Sequence, residues 1–301
     1  MERLKISIIG VPLDFGQSRR GVDMGPSAIR YAGAVGRIEA IGHQVTDEGD
    51  IRVNAAERKE HGESKLKNLD EVIQANEALA KSVSAVVEAG RFPLVLGGDH
   101  SIAIGTLAGL SDKYRNLGVI WYDAHADLNT AETSPSGNIH GMPLAASIGL
   151  GHESLVNLHS EGQKIKPGNV VIIGARSVDP GERKLIKEQG IKVYTMHEID
   201  RDGMTAVMKD AIAYLRAREV DGVHLSLDLD GLDPLYTPGV GTPVPGGISY
   251  RESHLAMEML EDSGMITSAE FVEVNPILDE KNKTADVAVG LMGSLFGEKL
   301  I

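Results

Sequence analysis

Short apolar runs recur along the chain, each closed by Gly, Pro or Asp. The clearest are residues 4–10, 92–96, 118–122, 170–174, 191–194, 222–229 and 266–274. Most show little alternation of apolar and polar positions, which is the pattern of strands covered on both faces. Between them lie stretches with apolar residues at helical spacing. Residues 69–89 place Leu69, Val72, Ile73, Leu79, Ala80, Val83, Val86 and Val87 on one stripe, and residues 204–218 and 249–262 read likewise. Pro26, just after Gly25, suits a further helix start, since proline is tolerated in the first turn. Strands alternating with helices predict an α/β fold, a parallel sheet with helices on both sides. No internal repeat or linker-like shift in composition interrupts the 301 residues, so a single domain over 1–301 is expected.

Charge and composition narrow the partners. Acidic residues number 43 against 30 basic ones, a net charge of −13 dispersed along the chain. Such a field opposes nucleic-acid backbones and anionic membranes and is compatible with a cationic small substrate, although solubility alone also accounts for it. The absence of cysteine excludes disulfides, thiolate metal sites and cysteine nucleophiles, and it fits a reducing compartment. The opening residues lack a signal-peptide core, and no apolar stretch is long enough to span a bilayer. A cytoplasmic protein is expected.

Four segments concentrate Asp, His and Glu, each at the C-terminal end of a predicted strand, where open α/β sheets build their sites. In the first, Gly97 and Gly98 let the chain turn and bring Asp99 and His100 to the sheet edge; a loop histidine beside a helix-capping aspartate is the plainer reading. In the second, Asp123, His125 and Asp127 share one face if the segment stays extended, with Ala124 and Ala126 between them. Crowded carboxylates repel and are costly to desolvate unless a cation lies between them. In the third, Asp228 and Asp230 share a face of a segment that reads as half buried, while Asp233-Pro234 reads as turn chemistry. In the fourth, Glu273 ends an apolar run. Two His and four Asp, with no sulfur, suit Mn²⁺ best and also admit Fe²⁺, Co²⁺, Ni²⁺ or Zn²⁺. Six ligands exceed the needs of one open catalytic ion and suffice for two if some Asp groups bridge.

The motifs GGDHS at 97–101, DAHAD at 123–127, SGNIHG at 136–141, SLDLDGLDP at 226–234, PGVGTPVPGG at 238–247 and EVNP at 273–276 occur in order over nearly the whole chain. Together they resemble the ureohydrolases, the arginases most closely. The resemblance implies a three-layer α/β/α sandwich with a mostly parallel central sheet of about eight strands, a homotrimer or homohexamer, and two Mn²⁺ per subunit. It would make His100, Asp123, Asp127 and Asp228 ligands of one ion and Asp123, His125, Asp228 and Asp230 ligands of the other, with Asp123 and Asp228 bridging. The implied activity is cleavage of L-arginine to L-ornithine and urea by a hydroxide shared between the ions. Glu273 would pair with the substrate guanidinium, Asp127 would orient the hydroxide, and His140 would shuttle protons. Asn129, Ser134, Ser136 and Asn138 would take the α-carboxylate, Asp179 and Glu182 the α-ammonium, and Thr242 would lie near the guanidinium.

Without the resemblance these last seven are ordinary polar loop residues. Agmatinases and formimidoylglutamases share the metal motifs but differ in these loops. A catalytically silent binding member would lack a ligand or Glu273, and neither is lacking. A deacetylase-like amidohydrolase is disfavoured by the segments at 136–141 and 273–276.

Overall fold

Apolar side chains on both faces of a strand bury only in the middle layer of a sandwich, and the computed structural model has that construction. It describes residues 3–53 and 65–299. The strands are β1 (Lys5–Val11), β2 (Gln44–Asp50), β3 (Phe92–Gly97), β4 (Leu117–Tyr122), β5 (Val170–Ala175), β6 (Lys192–Thr195), β7 (Gly222–Asp228) and β8 (Ile266–Val272). They form one eight-stranded sheet in the order β2-β1-β3-β8-β7-β4-β5-β6. Every pairing is parallel.

Alternate residues of β1, β3, β4 and β5 enter different cores. Ile6 and Ile8, Leu94 and Leu96, Ile120 and Tyr122, and Val171 and Ile173 pack on one face with α1 (Gly25–Tyr31), α2 (Ala34–Ile41) and the helices Met204–Arg216, Tyr250–Ser263 and Lys283–Leu295. Ile9 and Val11, Val95, Val119 and Trp121, and Val170 and Ile172 face α3 (Leu69–Glu88) and α4 (Ala103–Leu110). Both faces of these strands are covered and mainly apolar, which is why the strands show little alternation. The helix stripe expected over 69–89 is α3, and those over 204–218 and 249–262 fall on the helices beginning at Met204 and Tyr250. Pro26 occupies the first turn of α1.

One strand lies outside the apolar runs, and one expectation is corrected. The strand β2 has no apolar run: its seven residues, QVTDEGD, are almost all exposed because it lies at the edge of the sheet. Arg30 bridges Asp47 and Asp50 there, and a charged edge discourages pairing with other chains. The alternation in β7 does not mark a half-buried strand, since all seven of its residues are buried. Among the described residues no helix is long and apolar enough to cross a membrane.

Candidate metal centre

The strands preceding the four acidic segments, β3, β8, β7 and β4, are consecutive across the middle of the sheet. Because all run parallel, their C-terminal ends open onto one edge, and the four segments meet there. The approach at β3 is tight. Gly98 passes so close to the loop after β1 that a Cβ would lie 2.2 Å from the Leu13 carbonyl oxygen, so no side chain fits.

After β3, Asp99 caps the short turn beginning at His100, accepting from Ser101 N at 3.0 Å and from Gly16 N at 2.8 Å. It is the capping aspartate of the plainer reading. His100 turns inward, 1% exposed, with its ring stacked on Trp121 at a centroid distance of 4.1 Å. After β4 the chain bends at once instead of staying extended, and Asp127 has a left-handed φ of 51°. The expected every-second-residue face is therefore not how these groups meet. Asp123 caps the bend by accepting from His125 N at 2.7 Å, which swings His125 back beside it. After β7, a 3-10 turn at Leu229–Gly231 places Asp230 next to Asp228, whose Oδ1 accepts from Asp230 N at 2.7 Å. Asp233 accepts from Leu235, Gly246 and Gly247 N–H groups, which is turn chemistry, as expected.

The result is two groups of side chains able to hold a cation. His100, Asp123 and Asp228 offer ligand atoms within 4.8 Å of one another, as do Asp123, His125 and Asp230. Asp123 belongs to both: Oδ2 lies 3.1 Å from His100 Nδ1, and Oδ1 lies 3.4 Å from His125 Nδ1. His100 Nδ1 also lies 3.0 Å from Asp127 Oδ2 and 3.3 Å from Asp228 Oδ2. His125 Nδ1 lies 3.2 Å from Asp230 Oδ2.

Electrostatics of this kind call for positive charge. Burial pushes Asp228 well above the usual carboxylate range, with Asp230 and Asp123 adding to it, and brings Asp127 up to about 6 with help from Asp123. Burial also raises Asp230. Asp123 goes the other way: burial is outweighed by His100 and His125, and it stays ionised. Both histidines bind protons far more tightly than usual because the carboxylates overcome their desolvation. Yet His100 Nδ1 makes no hydrogen bond, although three carboxylate oxygens surround it. Oxygens this near but out of line for an N–H suit ligands converging on a shared ion, and the oxygen and imidazole donors suit a divalent one.

Beside the clusters is a cavity of ≈ 120 Å³ bordered by His125, Asp127, Asn129, Ser134, Ser136, Asn138, His140, Asp179, Glu182, Asp228 and Thr242. All the expected loop residues therefore reach one space. Many of them also build its wall. Asn129 donates to Asp179 at 2.9 Å, Ser134 accepts from Gly137 N, and Thr242 donates to Asp230 at 2.8 Å. Glu182 accepts from Asp179 N and Leu128 N at the start of the helix Pro180–Gln189. Glu273 lies behind the cavity, fully buried, with a left-handed φ of 66°. Its Oε1 accepts from His100 N at 2.9 Å and lies 3.2 Å from His140 Nδ1.

Three residues at the site carried no signal in the sequence. Gln17 donates to Glu273, Trp121 Nε1 donates to Asp123 at 3.0 Å, and Arg176 donates to the carbonyls of Asp230, Gly231, Leu232 and Val244. A lone amide, indole or guanidinium beside a strand end is recognisable as part of a site only once its neighbours are known.

Known proteins resemble this chain in sequence and fold. The profile of the arginase family matches residues 4–297. The arginase of Bacillus caldovelox is 69% identical over 297 residues, covering 98% of this chain and 99% of that protein. The arginase of Bacillus subtilis (strain 168) is 69% identical over 296 residues, with the same coverage. The solved structure of the Bacillus caldovelox arginase superposes with a TM-score of 0.96 at 68% identity, covering 99% of this chain and 100% of that one. The chain belongs to the arginase family and is a metal-dependent amidinohydrolase.

Proposed function

We propose that the chain hydrolyses L-arginine to L-ornithine and urea with two divalent cations, Mn²⁺ being the first choice for this sulfur-free donor set. His100, Asp123, Asp127 and Asp228 would hold one ion, and Asp123, His125, Asp228 and Asp230 the other. The observation carrying this reading is His100 Nδ1, buried without a hydrogen bond among three carboxylates. When bound, such a pair offsets the four carboxylates and lowers the pKa of water enough to supply hydroxide at neutral pH.

The protein's own groups must then align a poor electrophile, because the charge of a guanidinium is delocalised. Glu273 would pair with the guanidinium and aim its carbon; its carboxylate is already fixed by His100 N and Gln17 Nε2. Asp127, which borders the cavity, would orient the nucleophile and stabilise the tetrahedral species. His140 reaches the cavity and contacts Glu273, so it can carry a proton between the leaving amine and solvent. Burial disfavours its charged form, but Glu273, with Asp127 and Asp99, more than restores it. Asn129, Ser134, Ser136 and Asn138 would bind the α-carboxylate, and Asp179 and Glu182 the α-ammonium. Thr242 would line the guanidinium end.

Urea release from L-arginine and from agmatine, each with Mn²⁺, tests the reading. Arginine should be strongly preferred. Preference for agmatine would overturn the substrate assignment, and no urea from either would overturn the activity. The assembly expected is a homotrimer or homohexamer, which light scattering distinguishes.

A further inference from the structure

Two buried ionisable groups take no part in the chemistry above. Glu270 in β8 and His224 in β7 are each 0% exposed. They lie on the α4 side of the sheet, which elsewhere carries Val95, Val119, Trp121 and Ile172. β7 and β8 place a run of polar side chains on that face, with His224 paired to Ser268 and Ser226 to Glu270.

Hydrogen bonds give this polar stripe a direction. His224 Nδ1 meets Ser268 Oγ at 3.0 Å, and its Nε2 lies 3.4 Å from Glu270 Oε1. Ser226 Oγ donates to Glu270 Oε1 at 2.7 Å, and His100 Nε2 meets Ser226 Oγ at 2.8 Å. A serine hydroxyl has one proton to give. Ser226 gives its proton to the carboxylate, so toward His100 it can only accept, and His100 must carry a proton on Nε2. In the neutral ring Nδ1 is then the bare nitrogen, and Nδ1 is the atom that faces Asp123, Asp127 and Asp228. Burial pushes the Glu270 carboxyl up, and His224, with His100 and Thr106, more than reverses the push, so Glu270 keeps the charge that makes it an acceptor.

We propose that Glu270, steadied by His224, is a positioning residue for metal binding: through Ser226 it fixes the His100 tautomer that leaves Nδ1 free. The proposal rests on the reading of His100 as a ligand. It predicts an effect on the ion held by His100 and not on the ion held by His125. A buried acid–histidine pair that served packing alone would affect folding without that asymmetry.

The test titrates metal-free protein with Mn²⁺ against a competing chelator, so that the two affinities are read separately. Ser226→Ala should weaken one ion about 10–100-fold and leave the other within a few-fold. Glu270→Gln should weaken the same ion, and the double variant should lose no more than Ser226→Ala alone, because Glu270 acts through that hydroxyl. Equal loss at both ions, additive losses or no loss would overturn the proposal. Failure of the unaltered protein to bind Mn²⁺ would remove the metal reading itself and this inference with it. Should the variants not fold, the unaltered protein decides: loaded with diamagnetic Zn²⁺, its ¹⁵N spectrum should show the His100 proton on Nε2, and a proton on Nδ1 would overturn the assignment.

Discussion

Gln17 Nε2 donates to Glu273 Oε2 at 2.9 Å, joining residues 256 positions apart inside the buried site. Gly241 leaves room for the pair, since a Cβ there would lie 2.6 Å from Gln17 Oε1 and would push the amide out of place. With His100 N on the other oxygen, the Glu273 carboxylate is held in one plane. Gln17→Leu frees one edge at a cost of about 1–2 kcal/mol, so kcat/KM for L-arginine should fall about tenfold. Metal content should not change, because Gln17 touches none of the ligands. Gln17→Glu should be worse than Gln17→Leu, since it sets one carboxylate against another. Steady-state kinetics with metal analysis checks both, and unaltered kinetics in Gln17→Leu would contradict a positioning role.

Asp123 is the residue common to both ligand groups, and each of its oxygens faces a different histidine. Asp123→Asn should therefore weaken both ions, by more than the roughly 10–100-fold expected for losing an outer partner. Asp230→Asn touches only the His125 group and should mainly release one ion. Metal content after dialysis separates the two cases. Equal retention of Mn²⁺ by both variants would argue against sharing through Asp123.

The legibility of this site in the sequence was uneven for physical reasons. The acidic segments stand out because Asp and His at strand ends contrast with the apolar runs before them. Their convergence is a matter of strand order, which places β8 and β7 between β3 and β4, and no local pattern encodes that. The bend after Tyr122 is not legible because alternating Asp-Ala-His-Ala-Asp fits an extended strand equally well. What decides it is Asp123 accepting from His125 N, a competition between side chain and backbone that periodicity does not report. The strand β2 leaves no hydrophobic signal because an exposed edge needs no apolar residues. Ser226 and Gln17 matter only through distant partners.

The carboxyl of Glu182 is pushed up to about 7 from its ordinary value of 4.5, mainly by burial, against the N–H groups of Asp179 and Leu128 that favour its charge. The folded protein thus holds this proton more tightly than the unfolded chain. Its contribution to stability is complete below the unfolded value, is lost as pH rises from about 4.5 to about 7, and is flat beyond. Relative to metal-free unaltered protein, Glu182→Gln should gain in Tm across that interval, whatever the offset at its acidic end. Because only the ionised form can pair with an α-ammonium, KM for L-arginine should also rise as pH falls through the range in which Glu182 gains its proton. Calorimetry across the interval checks the first outcome, and KM against pH checks the second. A constant Tm difference would contradict the shift.

Arg176 fastens the loop that carries Asp230. Its guanidinium donates to the carbonyls of Asp230 at 2.7 Å, Gly231 at 2.9 Å, Leu232 at 3.1 Å and Val244 at 2.7 Å. Burial lowers its pKa, so part of the free energy of these bonds goes to offset desolvation. Arg176→Met would leave several carbonyls without donors and should cost about 3 kcal/mol of stability. Arg176→Lys keeps the charge but has a single point of donation in place of the planar fork, so it should recover only part of the loss. Asp230 lies in the segment being held, so the His125 group should lose metal affinity in both variants while the His100 group keeps most of its own. Chemical denaturation together with Mn²⁺ titration measures the two effects. A stability loss with both metal affinities unchanged would make Arg176 a fastener of the loop alone, with no hold on the ligand geometry.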